Sequence, residues 1–145
     1  MVKKRRRKPK QNETLSCNVT ISSIRSRVSL SMRDATGPDP EADSHCGLEL
    51  RGTMSTPIRD VREVKFNLWV DADYRIGPNR PAYVGYITQI RPEVAVIASC
   101  RPRDFEYVWS LALSGLLAHA YMHFTKPHYN SASVLSMSFS TEPEE

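Results

Sequence analysis

Apolar and polar residues alternate over most of this chain, and a period of two predicts strands. From residue 24 onward, Ile24, Ser26, Val28, Leu30 and Met32 share one parity, while Arg25, Arg27, Ser29, Ser31 and Arg33 share the other. That pattern predicts a half-buried strand with one wet face. Cys17, Val19 and Ile21 predict a shorter strand before it, joined through a bulge near Ser22–Ser23. Strand signals resume at Leu48–Met54, break at Pro57, and return where Val64, Phe66, Leu68 and Val70 share a parity. Residues 83–90 and 94–99 flank Arg91-Pro92-Glu93, which predicts a hairpin on a type I turn with Pro92 at its second position. Both arms are apolar on both parities, as central strands are. A last strand, Ala132–Ser140, turns Ser133, Leu135, Met137 and Phe139 inward.

One stretch breaks the alternation. Between Glu106 and Lys126 the chain carries no formal charge. The spacing predicts one long helix over about 104–124, with Asp104 as its cap and Lys126-Pro127 closing it. Glu106, Ser110, Ser114 and Tyr121 form its polar stripe; Phe105, Val108, Trp109, Ala112, Leu116 and Ala120 lie opposite, and Leu117 falls within the stripe. Its uncharged length meets the minimum for a bilayer span, roughly 18–20 residues. Two histidines, two serines and strands on both flanks argue instead for a core helix, so no membrane span is expected. The apolar surface exceeds what one sheet face covers, which predicts a homo-oligomer or a covering loop.

The fold class expected is α+β, an antiparallel, curled or barrel-like sheet of about six to seven strands on one long helix. Residues 1–14 read as a disordered basic arm, residues 15–141 as a single domain, and residues 142–145 as an acidic tail end. Two loops interrupt the domain: an acidic one over 34–46, carrying Asp34, Asp39, Glu41 and Asp43, and a second over 71–82.

Charge sharpens this picture. The chain has 145 residues and a net charge of +4, but seven of its 20 basic residues lie in Lys3–Lys10, leaving 13 basic against 16 acidic elsewhere. The body is therefore slightly acidic, and the basic character belongs to the arm. Three widely spaced cysteines without a CxxC pattern argue against a disulfide framework and a zinc ribbon. No apolar segment backs the charged start as in a secretory signal, so a reducing, cytoplasmic setting is expected, or a nuclear one in a eukaryotic host.

Candidate chemistry is sparse. Lys3, Lys4, Arg5, Arg6, Arg7, Lys8 and Lys10 form a cationic run suited to nucleic acid or another polyanion, in a salt-sensitive and sequence-blind way. The acidic loop is a competing partner for it. Arg25 and Arg27 extend that surface, unless cross-strand carboxylates such as Glu49 or Glu63 pair with them. Trp69 and Tyr86 offer faces for stacking or for packing. His119 and His123 lie four apart near the C-terminal end of the expected helix and share a face, and His128 follows; with His128 or a loop carboxylate they are weak metal candidates, but the HExxH glutamate is missing. Cys100 lies before a predicted helix N-terminus beside Arg101 and Arg103, features that lower a thiol's pKa, so it is a weak candidate for a reactive thiol. Asp71 and Asp73 read as a solvated pair. No GxSxG elbow, glycine-rich cradle or cofactor motif is present. The leading expectation is a non-enzymatic binding or assembly protein that engages nucleic acid or another polyanion through its arm. The alternatives are a small metal-dependent or cysteine-based enzyme with its site at the ends of helix 104–124, and a structural subunit of a larger assembly.

Overall fold

Seven strands and one helix follow one another as β1 (Thr14–Arg33), β2 (Glu41–Ile58), β3 (Val61–Val70), β4 (Gly85–Gln89), β5 (Val94–Cys100), α1 (Pro102–Leu113), β6 (His119–Thr125) and β7 (Ala132–Ser140). This is the computed structural model of the chain, which describes residues 13–33, 41–70 and 84–144. Arm residues 1–12, most of the 34–46 run and the 71–82 loop with Asp71 and Asp73 lie outside the described residues, while Thr14, expected in the arm, already opens β1. β2 already begins at Glu41, so the second half of the expected acidic loop is strand.

The strands close into a barrel in the order β1-β2-β3-β5-β4-β7-β6, with β6 paired back to β1. Closure follows from the alternation: each strand sends one parity to a common interior, and a ring satisfies every ladder without leaving an edge. Val19, Leu50, Phe66, Leu68, Ile87, Val94, Val96, Met122 and Val134 fill that interior and are essentially inaccessible to solvent. Phe66 meets Phe139 edge to face, centroids 6.0 Å apart. The sheet is not wholly antiparallel as expected. β3 pairs with β5 in parallel, because β5 returns between β3 and β4.

The bulge expected near Ser22–Ser23 is present as a register shift between Ile21 and Ser23. Opposite it stands Gly52, where a Cβ would collide with the Thr20 carbonyl and lie 2.7 Å from Val19 Cγ1. β2 runs through Pro57 to a two-residue turn, Arg59-Asp60, with φ of 46° and 67°. Two non-glycine residues hold that left-handed geometry because Arg59 is tied at both ends. Its guanidinium donates to the carbonyls of Tyr129 and Pro127, and its carbonyl accepts from Arg91 at 2.8 Å. The β4–β5 hairpin forms as expected, but its Arg91–Pro92 bond is cis, unlike the trans proline of a type I turn. In β7 the inward parity changes: Ala132 and Val134 are buried first, and Met137 and Phe139 pack on the core after a register shift against β6.

The long helix is the main correction. α1 spans 12 residues and stops at Leu113. Gly115, at φ 73°, takes the left-handed position that ends helices. Its N–H donates to Ala112 and that of Leu116 to Leu111, at 3.2 and 3.1 Å, a Schellman closure. Beyond it the chain is strand: Ala120, Met122 and Phe124 turn inward while His119, Tyr121, His123 and Thr125 turn out. Leu117, placed on a polar stripe by helical spacing, is buried once the helix has ended. Nor is Asp104 the cap. Arg101 occupies that position, and Asp104 sits in the first turn, accepting from Arg101 Nε at 2.9 Å. Among the described residues no helix is long and apolar enough to cross a membrane.

Candidate polyanion-binding face

Residues opposite each other in a ladder point to the same side of a sheet, so the register assembles the outer face of the barrel. One row runs Arg25 (β1), Glu49 (β2), Asn67 (β3), Ile97 (β5), Tyr86 (β4) and Ser133 (β7). The next runs Arg27, Gly47, Trp69 and Ser99. The ends of β1 and β2 leave the barrel here. β1 pairs with β6 only as far as Thr20, and β3 reaches β2 only up to Gly47, so among the described residues the two outer ends pair with each other alone.

At the root of this ribbon lies a groove of about 360 Å³ between Arg25 and Arg27 on one side and Asn67 and Trp69 on the other. Gly47 shapes its floor. A Cβ there would stand 3.0 Å from two carbons of the Trp69 indole, so the ring lies in the space a side chain would fill.

Charge in the groove is set by which ions are already engaged. Glu49 accepts from Arg51 at 3.5 Å; Glu93 accepts from Arg51 at 2.8 Å and faces Lys65 at 3.8 Å. Glu49 stands opposite Arg25 in the ladder, yet its carboxylate is turned to Arg51. Arg25 and Arg27 are exposed and make no ion pair or side-chain hydrogen bond among the described residues. Ion pairs as exposed as those of Arg51 add little stability. Their consequence here is that two guanidinium groups keep their donor capacity beside an indole.

The other sequence candidates do not converge. His119 and His123 still share a face, but of a strand, where four residues span about 13 Å. The helix-based pairing of their rings over one ion therefore does not hold. His128 lies in the β6–β7 turn with its ring 4.4 Å from that of Tyr129. Among the described residues no three His, Cys, Asp or Glu side chains cluster as a metal site would require. Cys100 lines a cavity of about 380 Å³ between α1 and the barrel, with Asp104, Val108 and Phe139. Burial, and secondarily the Asp104 carboxylate, push its thiol up from 9.0 to about 11, opposite to the activation expected. Arg101, expected to lower it, is turned to Asp104.

Sequence reasoning reached Arg25, Arg27, Trp69 and Tyr86 singly. It missed Gly47, whose signal was a glycine inside a strand pattern, a mark of close backbone approach. It also missed that Ile97 faces outward, since both parities of β5 are apolar. No family model, no curated protein and no solved structure matches the chain.

Proposed function

We propose that this protein is a non-enzymatic polyanion-binding module in which the cationic run Lys3–Lys10 supplies long-range attraction and Arg25 and Arg27 supply local contacts. The observation that carries the reading is a pair of arginines beside Trp69 that no described residue engages, Glu63 included, while Glu49 and Glu93 are already bound by Arg51 and Lys65. Guanidinium forks of this kind are suited to phosphate or sulfate oxygens. Nucleic acid is the polyanion of choice, and binding is sequence-blind and salt-dependent.

The test is titration with heparin and with nucleic acid at two salt concentrations, using the whole chain, a variant lacking residues 1–10, and Arg25→Ala/Arg27→Ala. Removing one phosphate-binding cation lowers the slope of log affinity against log salt by about 0.7–0.9. Both variants are expected to bind more weakly with a shallower slope. Unchanged affinity and slope in both would remove the reading.

A second reading, assembly with further copies of the chain, is favoured by a separate observation. Leu113 and Leu116 flank the end of α1 and remain 75% and 57% exposed. Leu113 also borders a groove of about 260 Å³ shared with Ile24, Leu48 and Trp109. Side chains this apolar are commonly covered by a second subunit. Sedimentation should then give a mass above the monomer that falls in Leu113→Glu; a monomer at all concentrations would contradict it.

A further inference from the structure

Resting on the polyanion reading, we propose that the outer face takes single-stranded nucleic acid, with bases stacking along Trp69 and Tyr86 while Arg25 and Arg27 hold the phosphates. The strand order makes this geometry. β5 lies between β3 and β4, so Trp69 and Tyr86 are two strands and two residues apart on the same face. Strand spacing and rise place them about 12 Å from each other. Ile97 lies between, directly opposite Tyr86, and the two are 42% and 45% exposed. The face thus grades from cationic at β1 to aromatic and apolar at β4.

That gradient selects among polyanions. A duplex presents phosphates outward and hides its base faces, so it leaves an exposed Tyr–Ile strip unused. A sulfated polysaccharide has no aromatic face to stack. A single strand offers both a charged backbone and flat bases, and stacking on aromatic side chains is tolerant of sequence because every base has a π-face. Two carbons of the Trp69 ring occupy the space that a side chain at position 47 would fill, so the glycine sets where the indole sits on the face.

Stacking and ion release respond differently to salt, which separates the two contributions. Full-length protein would be titrated with an oligothymidylate, a duplex of the same length and heparin, with folding checked by circular dichroism. Tyr86→Ser should weaken oligothymidylate binding about tenfold with little change in salt slope, leave heparin binding unaltered, and be rescued by Tyr86→Phe. In a Trp109→Phe background the remaining indole, Trp69, should be quenched by oligothymidylate and not by heparin. Duplex binding as tight as single-strand binding, with no effect of Tyr86→Ser, would overturn the stacking path and leave the polyanion reading standing. No binding to any of the three probes would overturn both. Loss of fold in Tyr86→Ser would shift the decision to the quenching measurement, where an unquenched indole counts against the proposal.

Discussion

Cys100 illustrates how a residue's surroundings outweigh its sequence neighbours. The adjacent Arg101 and the helix start both predict an acidic thiol. The guanidinium is turned to Asp104, and burial disfavours the thiolate, so the thiol rises to about 11; Cys17, buried in the barrel wall, rises equally. Alkylation of Cys100 should therefore be slow at neutral pH and accelerate only toward pH 11; a fast neutral reaction would contradict this environment. The same shifts carry a stability consequence. An unfolded thiol loses its proton near 9.0, whereas the folded one keeps it to about 11. The folded state binds more protons in that window, so this contribution is complete below pH 9.0 and is lost as pH rises toward 11. Urea unfolding across the window should show the decline, and Cys17→Ala should flatten it. Arg25 and Arg27 were legible as wet residues from alternation alone. That Glu49 turns away from Arg25, which no described residue then engages, was not, because it depends on Arg51 reaching Glu49 along β2 and Glu93 from beyond it.

Among the elements, α1 and β6 carry the clearest lesson. Residues 107–125 are uncharged throughout, and that composition suits a helix and a buried strand equally. Two local signals distinguish them: Gly115, and the period of two that starts at His119. Gly115 stands at φ 73°, with open space around the position a Cβ would take. Gly115→Ala should therefore cost about 1 kcal/mol from backbone conformation alone, without a clash. Chemical denaturation measures this, and an unchanged midpoint would mean the turn does not need glycine. The consequence reaches function, since the shorter helix turns a proposed histidine pair into two residues well separated along a strand. The β1 bulge, by contrast, was legible because a shift of apolar parity at Ser22–Ser23 has no other explanation in a continuous strand.

In the molecule as a whole, charge and topology act on different ranges. Removing residues 1–10 takes seven cations and no anion, turning +4 into −3. The truncated body would repel a polyanion from a distance even with its face intact. Arg25→Ala/Arg27→Ala leaves the net charge positive, so comparing the two variants separates steering from contact. A larger loss of association rate from the truncation, and of complex lifetime from the double substitution, is the expected division. In β1 and β3, which residues are inward and which are wet, and along the whole chain where the cations concentrate, were written in local order, because side-chain alternation and charge density are properties of neighbours along the chain. The closing of the barrel, the parallel return of β5 between β3 and β4, and the meeting of Arg25, Arg27, Gly47, Trp69 and Tyr86 on one face were not. Those depend on which strands pair and in what register. Long-range pairing is settled by the joint packing of a shared interior, on which no single segment has a preference strong enough to decide.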